Sequence, residues 1–147
     1  MADWRENVLE DEKRIADLLR STKRVAVIGM KTEAQADQAA YYVGKYVSEH
    51  GAEVVPVPVY YPEATEILGR KVYRKVSDVP GALDLVDIFR RPSDIPAHLP
   101  DILAKKPRAV WFQLGIRNDA AAEELAKAGI LVVQDHCLMV EWRRHVG

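Results

Sequence analysis

Five short apolar runs, separated by segments of helical character, constrain the fold of this chain more than any other feature of its sequence. The runs are nonalternating, as in strands that are buried on both faces of a parallel sheet. They occupy residues 24–29, 53–59, 85–89, 109–113 and 130–134. Because parallel strands are joined by right-handed helical crossovers, this order predicts an α/β, three-layer Rossmann-like domain with a roughly five-stranded parallel sheet.

The segments between the runs carry the helical pattern. Residues 8–20 place valine, isoleucine and leucine among charged residues, which predicts an amphipathic opening helix. Further helices are predicted over residues 36–50, 93–105, 120–128 and 138–144. Pro100 is expected to split or kink the segment 93–105. The long stretch before residue 85 is expected to be a loop, with one helical turn near residues 64–68 and another beginning at Ser77 and Asp78.

Length, composition and charge limit the classes of function. With 147 residues, 48% of them apolar, the chain is expected to form a single domain over residues 1–147. The formal net charge of -1 creates no overall field that would attract nucleic acid or an anionic membrane. Cys137 is the only cysteine, which excludes an intramolecular disulfide. These features predict a cytoplasmic protein with no nucleic-acid or membrane partner.

Polar, basic and glycine residues concentrate just after the predicted strands. In open parallel sheets, ligands bind outside the carboxyl ends of the strands, at the point where the strand order reverses. The segments that follow the five runs are 29–32, 58–61, 90–93, 113–117 and 135–137. We therefore expect a ligand site at this edge of the sheet.

The first of these segments has the properties of an anion site. The backbone leaves its strand at Gly29 and is predicted to enter a helix near residue 36, so several unpaired N–H groups would face one point. Lys31, Arg90 and Arg91 could add positive charge, and a guanidinium group suits phosphate. Gly29 also suits the tight turn of any β–α unit, so the phosphate hypothesis depends on the arginine pair at the neighbouring strand.

A nicotinamide dinucleotide fits the sequence less well. The fingerprint G-x-G-x-x-G would require glycine where the chain has Lys31 and Ala34. The acidic residue expected at the end of the second strand is replaced by Pro58, Val59 and Tyr60. An NAD(P)-binding, oxidoreductase-type domain with an atypical glycine turn is therefore the alternative interpretation.

Four longer motifs indicate a family. They are "ILGRKVY" (67–73), "VDIFRRP" (86–92), "VWFQLGI" (110–116) and "DHCLMVEWRR" (135–144). With these motifs in this order, nearly the whole chain resembles the small stand-alone CoA-binding domain proteins. Their fold is similar to the CoA-binding domain of the succinyl-CoA synthetase alpha subunit. The resemblance implies that coenzyme A or an acyl-CoA binds in the cleft at the strand ends, with a non-catalytic or regulatory role.

The resemblance also implies which residues bind. The turn 29–32 would take the pyrophosphate, the loop at Pro58 would border the adenosine, and residues 90–92 with 113–115 would line the nucleotide and pantetheine path. Relatives have small residues where Met30 and Lys31 stand, so a narrower cleft is expected here. The implied cofactor-binding residues are Gly29, Met30, Lys31, Thr32, Pro56, Pro58, Arg90, Arg91, Pro92, Gln113, Leu114, Gly115 and Cys137.

Cys137 and the adjacent His136 are the strongest candidates for chemistry. Adjacent residues after a strand point apart, so we expect a structural or ligand-neighbouring thiol and predict no catalytic residue. A mixed disulfide between Cys137 and the CoA thiol, and acyl transfer or thioester hydrolysis through Cys137, are subordinate hypotheses. The histidines and acids show no metal-binding spacing, so no metal is predicted. The tyrosines Tyr60, Tyr61 and Tyr73 and the tryptophan Trp142 are expected to be exposed, which leaves a protein partner or homo-oligomer open.

Overall fold

A five-stranded parallel sheet forms the centre of the computed structural model, which describes residues 3–147. Strands are numbered along the chain, and β3 (Glu66–Ile67) and β4 (Arg70–Lys71) form a separate antiparallel hairpin. The sheet consists of β1 (Arg24–Ile28), β2 (Glu53–Val57), β5 (Leu85–Ile88), β6 (Ala109–Phe112) and β7 (Leu131–Val133). Its spatial order is β2-β1-β5-β6-β7. The predicted Rossmann-like α/β fold is confirmed.

Helices cover both faces of the sheet. They are α1 (Glu12–Arg20), α2 (Ala39–Glu49), α3 (Leu99–Lys105), α4 (Asp119–Lys127) and α5 (Leu138–His145). One apolar layer contains side chains of α1, α2 and α5, and the other contains those of α3 and α4. Because both faces are covered, every residue of β5 and β6 is buried, which explains the nonalternating runs. Within residues 3–147, no helix has the length and apolar character needed to cross a membrane.

The strand order reverses at β1. The chain passes from β1 to β2 on one side, then returns to the other side of β1 to form β5, and continues outward through β6 and β7. The connection after β1 leads to α2 in one layer, and the connection after β5 leads to α3 in the other. Connections that diverge in this way leave a crevice at the carboxyl ends of the two strands.

The N-terminal segment differs from the prediction of a helix over residues 8–20. α1 begins at Glu12, and the carboxylate of its N-cap, Asp11, accepts a hydrogen bond from the Lys13 amide at 3.1 Å. Val8 instead pairs in parallel with Val132 of β7, whose carbonyl accepts a 2.8 Å hydrogen bond from the Leu9 amide. The segment that suggested the start of a helix therefore covers part of the edge of β7.

The helical turn predicted near residues 64–68 is wrong, because β3 and β4 form a hairpin there. Leu68 and Gly69 connect the two strands with φ values of 57° and 69°, the left-handed geometry of a tight hairpin turn. Ile67 is fully buried and attaches the hairpin to the core. A helical turn does occur near the second predicted position, but it begins earlier than expected, because a 3₁₀ helix spans Val76–Asp78 and ends where the prediction had it start.

Prolines shape two of the predicted segments. The segment 93–105 is divided as expected, with a 3₁₀ helix over Pro92–His98 before α3. Pro100 lies in the first turn of α3, where the backbone N–H has no intrahelical acceptor. Pro56 lies inside β2, which tolerates the missing N–H because β2 is an edge strand of the sheet. Pro58 follows the end of β2, as predicted.

Asp87 is a carboxyl group inside the core of the sheet. It is fully buried in β5, paired in register with Val27 of β1 and Trp111 of β6. Neither carboxyl oxygen has a hydrogen-bond partner among residues 3–147. Burial therefore raises the pKa of Asp87 well above its ordinary value. The group is neutral in the folded protein under conditions in which it would be ionised in the unfolded chain.

We expect Asp87→Asn to remove a pH dependence of stability. The folded pKa is raised, so the stability contribution of Asp87 is fully present below its unfolded pKa of about 3.9 and is lost as the pH rises through the folded pKa. The free energy of unfolding of the native chain should therefore fall, relative to the variant, by up to about 1.4 kcal/mol per pH unit in this window. Urea unfolding between pH 4 and 8 measures the difference. Asp17→Asn, at an exposed carboxylate, is the control, and parallel pH profiles for native and Asp87→Asn protein would contradict the account.

Gly29 allows the end of β1 to approach the end of β5. Its φ is 81°, and a Cβ atom at this position would overlap the carbonyl oxygen of Phe89. The same Cβ would lie 3.4 Å from Cδ of Arg90. Glycine is therefore required here both by the left-handed backbone and by the space, and the Arg90 side chain starts directly beside it.

Gly115→Ala is a matched control for Gly29→Ala. Gly115 has a φ of 82°, but among residues 3–147, apart from its two chain neighbours, no atom lies within 4 Å of the place that an added methyl group would occupy. Gly115→Ala should destabilise the protein by about 1–2 kcal/mol through backbone strain alone. Gly29→Ala should cost a further ~1–3 kcal/mol because the Phe89 backbone must move. Equal losses in chemical denaturation would show that the close approach of the two strands imposes no constraint.

Candidate functional site at the carboxyl edge of the sheet

The residues predicted to bind a ligand meet at the carboxyl edge of β1, β5 and β6. We call residues 29–32, 90–92 and 113–115, which follow these three adjacent strands, the rim. The rim backbone is tied together, since the Gly29 amide donates to the Val57 carbonyl at 2.9 Å and the Phe89 amide to the Ile28 carbonyl at 2.9 Å. Gly29, Arg90 and Gln113 therefore share one edge of the molecule, as the strand order requires.

In the turn after β1, three backbone amides that were predicted to be free for a ligand donate hydrogen bonds within the protein. The Gly29 amide is paired with Val57, the Lys31 amide donates to the Ala40 carbonyl at 3.0 Å, and the Thr32 amide donates to Oε1 of Gln35 at 3.1 Å. The predicted set of free N–H groups is wrong for these three residues. The physical reason is the capping box of Thr32 and Gln35, which begins a 3₁₀ helix and delays α2 from residue 36 to Ala39.

The ligand cleft was expected to be narrow because Met30 and Lys31 have long side chains, but neither side chain occupies the space at the rim in this way. The Met30 side chain is fully buried, and its Cε lies 3.0 Å from the position of a Cβ on Gly44 of α2. The Lys31 ammonium group donates a hydrogen bond to the Gln38 side chain. The absence of a side chain at Gly44 thus provides the space that receives Met30 beneath α2.

The guanidinium group of Arg90 is a largely buried cation at the rim. Its side chain is only 16% exposed, and its Nε is buried without a hydrogen-bond partner among residues 3–147. The guanidinium carbon lies 5.7 Å from the centre of the Tyr60 ring, and Nη2 lies 3.6 Å from Oδ2 of Asp94. Because an arginine stays charged when it is buried, this group favours a nearby anion.

Arg91 points into solvent and has a different role. Its side chain is 79% exposed, and Nε donates a 2.8 Å hydrogen bond to Oδ2 of Asp94. This hydrogen bond is the main cause that holds the pKa of Asp94 below its ordinary value, and the charges of Arg91 and Arg90 add to it. Pro92 begins the 3₁₀ helix that carries Asp94, and its carbonyl accepts a 3.0 Å hydrogen bond from Asn118.

His98 lies at the end of the same 3₁₀ helix. Burial lowers the pKa of His98, and the positive charge of Arg90 lowers it further, against the opposing charges of Asp101 and Asp94. Asp94 was not among the site residues predicted from the sequence. The i+3 and i+4 spacing of Asp94 from Arg91 and Arg90 was the available signal, because residues at this spacing lie on one side of a helical turn.

The segment after β6 presents one buried and one exposed side chain. Gln113 is 4% exposed, and its Oε1 accepts a 3.1 Å hydrogen bond from the Leu138 amide at the start of α5. Leu114 is 68% exposed beside it. The Gly115 amide donates to Oδ1 of Asp135 at 2.6 Å. Gln113 therefore connects α5 to the rim, and Leu114 offers an apolar surface there.

Cys137 and the two prolines complete the predicted set. Cys137 is a free, half-buried thiol at the N-cap of α5, packed against the layer of α1, α2 and α5. The ring of His136 is held by a 2.7 Å hydrogen bond between Nδ1 and the Gln134 carbonyl. Pro56 and Pro58 are buried in and after β2, the strand on the far side of β1. Within residues 3–147, no group of three or more His, Cys, Asp or Glu side chains is placed to hold a metal ion.

A cavity of about 570 Å³ lies away from the rim, between the N-terminal segment and α4. Its wall includes Trp4, Arg14, Arg117 and Asp119 but none of the rim residues. Two charged groups of this wall already have partners, since Arg117 pairs with Asp119 at 3.1 Å and Arg14 donates to the Glu6 carbonyl at 2.6 Å. We place the candidate site at the rim because the poorly neutralised guanidinium lies there.

Known proteins with similar sequences cover nearly the whole chain. YneT of Bacillus subtilis strain 168 is 30% identical over 126 residues, which are 86% of this chain and 90% of YneT. A Thermus thermophilus protein of known structure is 36% identical with a TM-score of 0.83, over 91% of this chain and 98% of that protein. A Pyrococcus horikoshii protein is 32% identical with a TM-score of 0.83, over 96% of this chain and 95% of that protein.

The fold also occurs as one part of a larger enzyme. The dinucleotide-forming acetyl-coenzyme A synthetase 1 of Ca. Korarchaeum cryptofilum is 22% identical with a TM-score of 0.64, over 80% of this chain but 27% of that enzyme. At this identity the likeness concerns the fold alone. The sequence model of the CoA binding domain matches residues 23–143, a span that includes all five strands of the sheet. The chain therefore belongs to the CoA-binding domain family.

Proposed function

We propose that this protein binds coenzyme A or an acyl-CoA at the rim and does not itself catalyse a reaction. The observation that carries the proposal is Arg90, a largely buried guanidinium group beside the glycine turn at the reversal of strand order, whose Nε has no hydrogen-bond partner among residues 3–147. Membership of the CoA-binding domain family supports the choice of ligand. Coenzyme A carries a pyrophosphate and a 3'-phosphate, and planar guanidinium groups pair well with phosphate oxygens.

The residues of the rim fit the parts of this ligand. Gly29 leaves room for a phosphate to approach the backbone between β1 and β5, and Arg90 supplies the charge. The Tyr60 ring, 62% exposed above Arg90, offers a surface for an adenine base. The exposed Leu114 offers apolar contact to the pantetheine chain. In this proposal the turn after β1 contributes space more than hydrogen bonds, because the Gly29, Lys31 and Thr32 amides are already paired.

Binding without catalysis is the proposal because the reactive side chains lack a catalytic arrangement. The His136 imidazole is positioned by a backbone carbonyl, whereas a catalytic base is oriented by a third side chain. Cys137 is packed against the core at the start of α5. We place this thiol beside the ligand without assigning it a step. The thiol or thioester of the bound coenzyme would remain available to other enzymes.

Calorimetry with CoA, dephospho-CoA and NAD tests the ligand. We expect CoA to bind most tightly, because only CoA carries the doubly charged 3'-phosphate, and NAD to bind most weakly. The double variant Arg90→Ala/Arg91→Ala should weaken CoA binding about 10- to 100-fold, because a hydrogen bond to a charged group contributes about this factor to affinity. Arg108→Ala, at the amino end of β6, is the control and should bind normally. Tighter binding of NAD than of CoA would favour the oxidoreductase-type alternative.

The ring of His98 should report whether a phosphate binds near Arg90. An anion there offsets the positive charge that lowers the pKa of His98, so saturation with CoA should raise this pKa. By linkage, CoA affinity should increase as the pH falls through the titration of His98. NMR titration of the ring resonances, with and without CoA, measures the change, and His50 at the far end of α2 is the internal control. An unchanged His98 titration in the saturated complex would argue against phosphate at this position.

A further inference from the structure

Two arginines share one carboxylate at the rim, but they share it unequally. Arg91 donates from Nε to Oδ2 of Asp94 at 2.8 Å, whereas Nη2 of Arg90 lies 3.6 Å from the same oxygen. The Arg91 side chain is 79% exposed and that of Arg90 is 16% exposed. The strong hydrogen bond is therefore the outer one, and within residues 3–147 the largely buried guanidinium group of Arg90 has only a distant counterion.

This geometry places Asp94 in competition with any anion that binds Arg90. A phosphate that contacts the Arg90 guanidinium would come close to Oδ2 of Asp94, and like charges at short range repel. The hydrogen bond from Arg91 limits this repulsion, because it draws Asp94 outward and partly neutralises it. The three side chains therefore form a balance in which Arg90 attracts phosphate, Asp94 opposes it and Arg91 restrains Asp94.

We propose that Asp94 is an internal competitor that limits the affinity of the rim for phosphate, and that Arg91 is a positioning residue that holds Asp94 away from Arg90. The proposal rests on the function proposed above. It assigns ligand contact to Arg90 alone of the pair. Competition from Asp94 would also speed the release of a phosphorylated ligand, because the Asp94 carboxylate can replace the phosphate group beside Arg90.

A double-mutant cycle on Asp94 and Arg91, with CoA as the ligand, tests this assignment. Asp94→Asn should bind CoA about three- to tenfold more tightly, because the amide keeps an oxygen for Arg91 but removes the competing charge. Arg91→Ala should weaken binding severalfold, and this loss should nearly disappear in Arg91→Ala/Asp94→Asn. Asp101→Asn, which neutralises a carboxylate of the following helix that does not pair with Arg90, should leave CoA affinity unchanged.

Thermal unfolding of the free variants separates this role from a purely structural one. Asp94→Asn loses two ion pairs, so its melting temperature should stay equal or fall while its CoA affinity rises. A structural residue would lower both. If Asp94→Asn binds more weakly than the native chain, or if Arg91→Ala weakens binding equally in both backgrounds, the inference is wrong while the proposed function stands. If the native protein binds no CoA, the proposed function itself fails.

Discussion

The contact between the carboxyl ends of β1 and β5 is the constraint on which the rest of the site depends. Gly29 lies so close to the Phe89 carbonyl that no side chain fits, and this approach sets Arg90 directly over the turn. The two connections then separate to opposite faces of the sheet, toward α2 and α3. A single glycine thus links the topology of the fold to the position of the largely buried Arg90 guanidinium group.

Asp87 in β5 and Arg90 just after this strand both bring an ionisable group into the protein interior. They differ in how the cost of burying the charge is lowered. Asp87 and Arg90 both have buried polar atoms without hydrogen-bond partners in the part of the chain that the structure describes. Asp87 lowers the penalty of burial by keeping its proton, which its raised pKa allows. Arg90 cannot lose its proton at any ordinary pH, so beyond the distant Asp94 carboxylate its burial penalty is lowered further by a bound anion. The cost of burying an ionisable group is therefore lowered by protonation at Asp87, whereas at Arg90 we propose that a bound ligand lowers it.

The sequence was sufficient for the sheet and for the location of the rim, because both follow from strand order. The buried runs predicted all five strands, and strand order alone brought Gly29, Arg90 and Gln113 to one edge. Hydrogen bonding within the turn was not predictable in this way. Gln35 competes for the Thr32 amide through its side chain, and strand periodicity carries no information about such local competition.

The remaining differences have similar causes. The strands β3 and β4 have two residues each, which is too short to show the alternation of a β-strand in the sequence. The turn between them is identified in the structure by the positive φ values of Leu68 and Gly69. From the sequence, Arg90 and Arg91 were predicted to have the same role, because the sequence does not show in which direction each of two adjacent side chains points. In the structure the Arg90 side chain is largely buried and that of Arg91 is exposed, and the two differ in their distance from Asp94.

A crystal structure of the protein with bound CoA tests the central claim most directly. We expect phosphate oxygens within hydrogen-bond distance of the Arg90 guanidinium, next to Gly29, with Arg91 still bound to Asp94. Coenzyme A located instead in the cavity between Trp4 and α4, with Arg90 making no contact to it, would contradict the account.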